Sequence, residues 1–158
     1  MIEIVASPLL HDAFAPFGAI VRAPAETGRI PIAAALQNLR AGAQPTLTAS
    51  RSLPATLPLT SQVMERHRCS TQTFLPLDAA RYLVVVAPRG SGGGPDMKSA
   101  RSILVPGDIG ISYRADTWHH AHLVLDRPAS FAVLMWRDGT ADDIEIQQLD
   151  APFMIRLA

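Results

Sequence analysis

Short apolar runs recur along the whole chain, and their spacing is the first structural signal in the sequence. Runs rich in Val, Ile, Leu and Thr return about every ten residues, with Gly, Pro or Asp between them. This spacing is typical of a sandwich or barrel, whereas helical periodicity is weak almost everywhere. The sequence therefore predicts a mainly antiparallel all-β fold with a few short helices. The candidate strands are Ile2–Ala6, Ala19–Arg22, Thr46–Ser52, Gln62–His67, Gln72–Pro76, Tyr82–Ala87, Ala100–Val105, Ile109–Tyr113, His119–Leu125, Phe131–Trp136 and Ile144–Leu149.

Three other segments have patterns of their own. Ser7 followed by Pro8 has the form of a helix cap with proline at the first helical position, which predicts a helix over Pro8–Ala13 or a little further. Ile30–Arg40 is rich in Ala with apolar residues on one helical face, and a strand is the alternative there. Arg89–Asp96 is rich in Gly and lies between two predicted strands, so we expect a hairpin connection, with an active-site flap as the alternative.

Composition and charge exclude several classes of partner. The 158 residues fit one domain over 1–158, which can bury about 70% of its unfolded surface without a disulfide or structural metal. The 14 basic residues, all Arg except Lys98, are scattered and balanced by 14 acidic residues, so they form no stripe for a nucleic acid. The longest apolar run, Tyr82–Pro88, is far shorter than a membrane helix. With no secretory pattern and one cysteine, Cys69, we expect a cytoplasmic protein without membrane or nucleic-acid partners.

The five histidines are unevenly placed, and an imidazole can exchange protons near neutral pH or ligate a metal. His119, His120 and His122 fall within four positions. Because alternate residues of a strand share a face, we expect His120 and His122 to point one way and His119 the other. An exposed loop after Trp118 is the alternative for all three. His11, in the first predicted helix, is expected to be a surface residue.

A carboxylate and an imidazole also alternate on one predicted strand. Glu65 and His67 share a face, which suits a metal site or acid–base chemistry, although an exposed strand shows the same alternation by chance. Arg51 either presents its guanidinium to a substrate carboxylate or lies at the surface. The sequence has no Gly-x-Ser-x-Gly elbow, no His-Glu-x-x-His motif and no activating context for Cys69, so nucleophilic catalysis is disfavoured.

Two degenerate motifs resemble those of cupin barrels. Pro106-Gly107-Asp108 followed by Trp118-His119-His120 resembles the second cupin motif, and Glu65-x-His67-x4-Gln72-x-Phe74 resembles the first with Glu and Gln replacing its usual His and Glu. A more specific resemblance, over most of the chain, is to the ureidoglycolate lyase family of allantoin degradation. Its elements are Ala13-Phe-x-x-Phe-Gly18, Leu57-Pro-Leu-Thr60, Met64-Glu-Arg-His67, Thr71-Gln-x-Phe-x-Pro76, Tyr82–Ala87, Pro95-Asp96, Tyr113 and Thr117-Trp-His-His120.

The resemblance implies a cupin-like β-barrel that splits (S)-ureidoglycolate into glyoxylate and urea. The reaction needs a base for the carbinol proton and an acid for the leaving nitrogen. His119 or His120 is the expected base, and the candidates for proton delivery or for orienting the imidazole are Glu65, His67 and Tyr113. The candidates for binding the substrate are Arg51, Gln72 and Trp118.

A divalent metal is left open as a cofactor. Nickel is associated with the family, and the ligands would be Glu65, His67 and either His119 or His120. Nickel, zinc and manganese fit this donor set about equally. Because Glu and Gln replace stronger cupin ligands in the first motif, the sequence does not require a metal.

The chain departs from the family pattern at positions expected to form pocket walls. Pro31–Leu36 lacks the usual Asn/Gly-containing segment, Met135–Gly139 replaces an Asp-Arg-Gly type of turn, and Ala121 stands where Pro usually follows the second His. Two alternatives therefore stay open: a non-catalytic barrel that binds a small acid, and another metal-dependent cupin enzyme such as an epimerase or dioxygenase. A homodimer is expected, because such barrels commonly cover an edge or an apolar face by pairing.

Overall fold

A computed structural model describes residues 1–32 and 36–158, and its regular elements are almost all strands. A single helical turn, α1 (His11–Phe14), follows the first strand, and two 3₁₀ turns cover Met97–Ser99 and Ala141–Asp143. Within the described residues no helix is long and apolar enough to cross a membrane. The strands are β1 (Ile2–Pro8), β2 (Gly18–Val21), β3 (Gln44–Ser52), β4 (Leu59–Arg66), β5 (Gln72–Pro76), β6 (Arg81–Ala87), β7 (Arg101–Pro106), β8 (Gly110–Tyr113), β9 (Trp118–Val124), β10 (Ala129–Arg137) and β11 (Glu145–Arg156).

The strands form a closed six-stranded barrel and a five-stranded sheet. The barrel runs β1-β11-β4-β9-β6-β7 and closes on β1, while the sheet runs β2-β8-β5-β10-β3. Strand β1 pairs in parallel with β11 and β7, and the other strand pairs of the described chain are antiparallel. The expected all-β, mainly antiparallel, cupin-like barrel is confirmed.

Two apolar cores follow from this arrangement, one inside the barrel and one in the layer between the barrel and the sheet. In β6, Tyr82 and Val84 pack into the interlayer core, whereas Leu83 and Val85 pack inside the barrel. A strand buried on both faces needs apolar residues at consecutive positions, which explains the uninterrupted run in this part of the sequence. All eleven predicted strands are present, and Gln72–Pro76 has the predicted bounds.

The first helix begins later than the sequence predicts, at His11 rather than at Pro8. Ser7 and Pro8 belong to β1, which pairs with β7 as far as Pro8. The hydroxyl of Ser7 donates to the carbonyl of Ser102 across the strands instead of capping a helix. Proline is tolerated at the end of a strand because its missing N–H breaks no central ladder. The helical turn begins only at His11, after Leu10, which offers no side-chain cap.

The second predicted helix, Ile30–Arg40, falls partly on residues 33–35, which lie outside the described residues. The part that is described after them is not helical, because Asn38 forms an isolated antiparallel bridge with Ser70. The Leu39 amide donates to the Cys69 carbonyl, and the Thr71 amide donates to the Gln37 carbonyl. Within residues 36–40 this isolated bridge is the only strand-like pairing, so neither the predicted helix nor a strand, the alternative, is present there.

The Gly-rich segment connects β6 to β7, which pair antiparallel, so the expected hairpin connection is confirmed. Gly90 and Gly94 close the turn with a backbone hydrogen bond of 2.7 Å, and Gly93 has a φ of 88° that favours glycine. The Gly93 carbonyl accepts hydrogen bonds from Arg66 and from the Trp118 indole. The connection is therefore anchored to the end of the barrel.

Candidate active site

Glu65, His67 and His119 meet where β4 and β9 pair. Glu65 lies opposite His119 in the register of the two strands, and His67 follows the last residue of β4. One ligand atom from each of the three residues lies within 4.8 Å of the other two. Oε1 of Glu65 is 3.4 Å from Nε2 of His119, and the ring centroids of His67 and His119 are 5.5 Å apart. The structure thus brings together one carboxylate and two imidazoles that the sequence suggested separately.

Two backbone carbonyls determine which nitrogen of each imidazole carries the proton. Nδ1 of His67 is 2.6 Å from the carbonyl oxygen of Asp143, and Nδ1 of His119 is 2.8 Å from that of Thr117. Since a carbonyl only accepts, both Nδ1 atoms are protonated and donate. Both Nε2 atoms are buried and have no hydrogen-bond partner among residues 1–32 and 36–158. When the rings are neutral, these Nε2 atoms are acceptors that share the cluster with a carboxylate.

The local environment shifts the proton affinities of this cluster. Burial disfavours the charged form of Glu65, but the neighbouring His119 and the charges of His67 and His120 outweigh burial and hold the pKa of Glu65 below its usual value. Burial is also the main reason that the pKa of His67 is lowered. Near neutral pH, Glu65 is therefore ionised and His67 is neutral.

Tyr113 and Gln72 continue the site into the interlayer. They face each other in the register of β5 and β8. The Tyr113 ring stacks on His119 with centroids 4.2 Å apart and an interplanar angle of 21°. The Tyr113 hydroxyl and Oε1 of Gln72 are both buried, and neither has a hydrogen-bond partner in the part of the chain that the structure describes. Burial raises the pKa of Tyr113 well above its usual value, so the phenol keeps its proton.

A β-bulge in β9 changes the faces of the histidines. In the register with β6, His120 lies opposite Val85, but Leu123 lies opposite Leu83. Two residues of β9 therefore face the one β6 residue in between, and the alternation of faces shifts by one position. The expected division of His119 and His120 between opposite faces is present. The expectation that His120 and His122 share a face is wrong.

His122 faces the interlayer, whereas strict alternation along the strand predicts that it faces the barrel interior with His120. Its ring lies against the rings of Phe74, Tyr82 and Phe131, with centroid distances of 4.8, 6.3 and 4.5 Å. Its Nε2 is also buried, with no hydrogen-bond partner among the residues that the structure describes. No local sequence pattern marks the bulge. The sequence therefore predicts the face of each histidine only from strict alternation along the strand.

Unpartnered polar atoms are concentrated at this site. Among the described residues eight buried side-chain nitrogen or oxygen atoms have no hydrogen-bond partner, and five of them belong to the residues just described. Native proteins leave few such atoms, because each costs about 1–3 kcal/mol. The five are Nε2 of His67, His119 and His122, Oη of Tyr113 and Oε1 of Gln72. This concentration indicates a site that a ligand completes.

His120 lies on the other face of β9, towards the barrel interior. Its Nδ1 contacts the Ala121 carbonyl at 2.7 Å, and its Nε2 is 3.1 Å from the Ser61 hydroxyl. Its ring packs edge-on against Phe153, which belongs to the core inside the barrel. The structure thus places His119 in the Glu65 cluster and His120 outside it.

The remaining candidates lie away from the cluster. Trp118 is buried with the barrel core, where the Arg66 guanidinium lies 4.3 Å from its ring centroid. Arg51 lies on the exposed strand β3 and binds Asp78 and Ser130. His11 is a surface residue, as expected.

Asp143 supports the cluster from a distant part of the chain. Its carboxylate accepts from Nη2 of Arg40 at 2.6 Å and from the backbone amides of Asp138 and Gly139. These bonds hold the turn that contains Asp143. The backbone carbonyl of Asp143 accepts the hydrogen bond from Nδ1 of His67. Burial opposes ionisation of Asp143, but the Arg40 hydrogen bond and the two amides lower its pKa to about 2. Sequence spacing gave no sign of this contact, because the partners are 103 residues apart.

We expect Asp143→Asn to lower the free energy of unfolding by about 1 kcal/mol at neutral pH, because the ion pair with Arg40 is partly exposed. A carboxyl with a depressed folded pKa stabilises above its unfolded pKa of about 4, and that stabilisation is lost as pH falls towards 2. The difference from wild type should therefore shrink between pH 4 and 2 in urea titrations. Asp142→Asn, at an exposed neighbour, is the control and should change the free energy of unfolding little. If the difference in free energy of unfolding between Asp143→Asn and wild type stays constant down to pH 2, the ion-pair account is contradicted.

Arg137 ends β10 beside the cluster. Its Nε donates to Sδ of Met135 at 3.2 Å, and the same sulfur lies 4.0 Å from Nε2 of Gln72. Its charge adds to the effect of burial in lowering the pKa of His67. Within residues 1–32 and 36–158 it has no carboxylate partner. The sequence marked this turn only as a departure from the family pattern.

Access to the cluster is from the Glu65 side. The side chain of Glu65 is 23% exposed, whereas that of His119 is 2% exposed. Ile146, which pairs with Glu65 across β4 and β11, is exposed, as is Val63 on the same strand face. A small molecule therefore reaches the carboxylate first and the imidazole behind it.

Comparisons with known proteins show which proteins the chain is similar to. A family model described as ureidoglycolate lyase matches residues 1–156. A ureidoglycolate lyase of Rhizobium etli is 34% identical over 94% of this chain and 93% of its own length. Proteins of the same name from Chelativorans sp. and Burkholderia mallei are each 32% identical, over 99% and 90% of this chain and 98% and 86% of their own lengths. The comparisons favour neither the non-catalytic barrel nor the epimerase or dioxygenase alternative.

Proposed function

Because the chain belongs to the ureidoglycolate lyase family, we propose that it cleaves (S)-ureidoglycolate into glyoxylate and urea by acid–base elimination. The observation that supports this most is the placement of His119. Its Nε2 is buried, has no hydrogen-bond partner within the described chain and lies 3.4 Å from an ionised carboxylate. An imidazole of this kind accepts a proton, and the carboxylate stabilises the imidazolium that results.

Nε2 of His119 takes the proton of the carbinol hydroxyl. As the C=O bond of glyoxylate forms, the bond from carbon to the ureido nitrogen breaks and its electron pair stays on nitrogen. Glu65 is close enough to hold the positive imidazolium, and the Nδ1 bond to Thr117 keeps the ring in orientation. One such acid–base group contributes about 10²–10⁴-fold to the rate.

The leaving nitrogen needs a proton to become urea. Glu65 and His67 are poor donors near neutral pH, since the pKa of each lies below its usual value. The imidazolium of His119 has just gained a proton and returns it to nitrogen, so hydrogen is conserved between substrate and products. Tyr113, which keeps its phenolic proton, is a second donor stacked directly on His119.

The test of this function is the identity of the products. An amidohydrolase would attack the ureido carbonyl and release ammonia, whereas elimination releases intact urea. Purified protein is incubated with ureidoglycolate, glyoxylate is measured, and ammonia is assayed before and after urease is added. We expect glyoxylate at once and ammonia only after urease. Ammonia without urease would overturn the lyase mechanism, and no turnover would favour the barrel that binds a small acid.

The same cluster fits a divalent cation. The unpartnered Nε2 atoms of His67 and His119 and the carboxylate of Glu65 are three converging ligands with no proton donor between them. A bound cation would stabilise negative charge on the substrate oxygen, with His119 then serving as a ligand. The Glu65 carboxylate would stabilise a positive charge at this point in both cases, either on the imidazolium of His119 or on the cation.

We expect one Ni²⁺, Zn²⁺ or Mn²⁺ ion to bind per chain when the chelator-treated protein is titrated calorimetrically. His67→Asn and Glu65→Gln should each weaken binding by at least about 10-fold, because each removes one of three ligands. His120→Asn is the matched control and should bind like wild type, since His120 faces the barrel interior. Equal binding by all variants would place any ion elsewhere.

We also propose that the protein is a homodimer. Strand β3 is an edge of the five-stranded sheet, and its Leu47 is 71% exposed. Leu77, also largely exposed, lies beyond the end of β5 in the same sheet. An uncovered edge beside exposed leucines is the kind of surface that a second copy covers. Sedimentation at micromolar concentration should show a dimer, and a monomer alone would contradict this proposal.

A further inference from the structure

His122 is a polar residue in an otherwise aromatic environment. Phe74 and Tyr82 make edge contacts with its ring, and Phe131 is tilted against it. Its Nε2 is buried and has no hydrogen-bond partner among the described residues. The elimination derived above uses His119, Glu65 and Tyr113 and leaves His122 without a role.

The environment of His122 keeps the imidazole uncharged. Burial lowers its pKa to about 4, the charge of His119 acts in the same direction, and the opposing charge of Glu65 does not reverse this effect. A neutral imidazole has one donor and one acceptor nitrogen, so it can bind an uncharged polar group but has no charge to offer a carboxylate. It also exchanges few protons at neutral pH, which makes it unsuitable as the main base.

A phenylalanine or leucine would fit these surroundings without leaving a polar atom unpaired. Deleting an unpaired buried polar group is neutral or stabilising when an apolar group of similar shape replaces it. The imidazole therefore has a cost in the free protein that a ligand can offset. Gln72 has the same property, because its Oε1 is buried without a partner.

Both side chains lie next to Phe74, one along its own strand and one across from it. Gln72 and Phe74 are two residues apart on β5 and share its inner face, and the His122 ring contacts Phe74 from the opposing strand β9. A planar ligand beside Phe74 can therefore reach both the amide oxygen of Gln72 and the imidazole of His122. The unpaired oxygen calls for a ligand N–H.

We propose that His122, together with Gln72, binds the ureido group of the substrate and sets the selectivity for it. This inference rests on the proposed function and adds a specificity residue to it. A ureido group is planar and uncharged, with three N–H donors and one carbonyl acceptor. Oε1 of Gln72 accepts one N–H, the His122 nitrogen supplies a further hydrogen bond, and the Phe74 ring packs beside the ureido plane.

The test uses a probe that cannot react. Ureidoacetate has the carboxylate and ureido group of the substrate but no hydroxyl, so it binds without elimination, whereas glycolate has the hydroxyl and no ureido group. We expect His122→Phe to raise the Kd of ureidoacetate about 10-fold or more, the equivalent of one buried hydrogen bond. The Kd of glycolate should stay within about twofold, and the thermal midpoint should be equal to or above that of wild type.

Two further variants keep the test decisive if His122→Phe does not fold. His122→Asn retains a hydrogen-bonding group and should bind ureidoacetate more tightly than His122→Leu, which retains none. Equal affinity for ureidoacetate across wild type, Phe, Leu and Asn would overturn the inference, as would a parallel loss of glycolate binding. His120→Asn, on the opposite face of β9, should leave both ligands unaffected.

Failure of the inference and failure of the proposed function give different results. If wild type produces glyoxylate and urea but the His122 variants bind ureidoacetate normally, only the inference is overturned. If wild type turns over no ureidoglycolate but loses ureidoacetate binding on His122→Phe, the lyase proposal fails and the ureido subsite stands. If wild type binds no ureidoacetate, the inference is overturned whatever the activity.

Discussion

His119→Asn should lower kcat by about 10²–10⁴-fold, the usual contribution of one acid–base group. The reason is that Asn has no nitrogen that can take the carbinol proton and return it to the leaving nitrogen. The effect should fall mainly on kcat, because His119 acts on the atoms that change bonding rather than on the remote parts of the substrate. Steady-state assays of glyoxylate release measure both parameters.

The controls for His119→Asn separate chemistry from folding. His120→Asn alters an adjacent imidazole on the barrel side, where Ser61 and Phe153 are the neighbours, and should keep kcat within about twofold. Loss of the stacking between His119 and Tyr113 should lower stability by about 1 kcal/mol, which thermal unfolding detects without loss of the fold. A variant pair in which His120→Asn is inactive and His119→Asn is active would reverse the assignment of the base.

All eleven strands are predictable from the sequence, because a strand with one buried face repeats every two residues and a strand buried on both faces, such as β6, is a short apolar run between turn residues. Gln72–Pro76 was found with its bounds, and the alternating pair Glu65 and His67 was placed on one face. The histidine faces after residue 120 were not predictable, since a single extra residue in β9 reverses the alternation. The start of α1 was missed because Ser7 and Pro8 read as a local cap, while pairing with β7 took precedence.

Contacts between distant parts of the chain were the other limit. The bond between Arg40 and Asp143 spans 103 residues, and it holds the turn that orients His67. Neither residue belongs to a motif, so no spacing rule connects them. The single-domain organisation over 1–158 and the cytoplasmic location stay predictions, because both were inferred from composition and from the absence of a targeting pattern.

The substrate carboxylate needs a positive partner at a site that already contains ionised Glu65. Arg51, the candidate from the sequence, is mostly exposed and bound to Asp78 and Ser130. Arg137 lies nearer the chemistry, since its charge acts on His67 and its Nε is held by Met135, whose sulfur contacts Gln72. We therefore expect Arg137 to bind the carboxylate and Arg51 to have no part in catalysis.

Arg137→Ala should lower kcat/KM by about 10–100-fold, the range for losing one charged hydrogen-bonded contact to a carboxylate. Most of the loss should appear as a higher KM, because the carboxylate is bound equally before and during elimination. Arg137→Lys should fall between wild type and Ala, since a lysine keeps the charge but not the two-pronged geometry. Arg51→Ala is the matched control and should stay within about twofold. If Arg51→Ala raises KM and Arg137→Ala does not, the exposed arginine of β3 reaches the substrate and the assignment made from Arg137 is wrong.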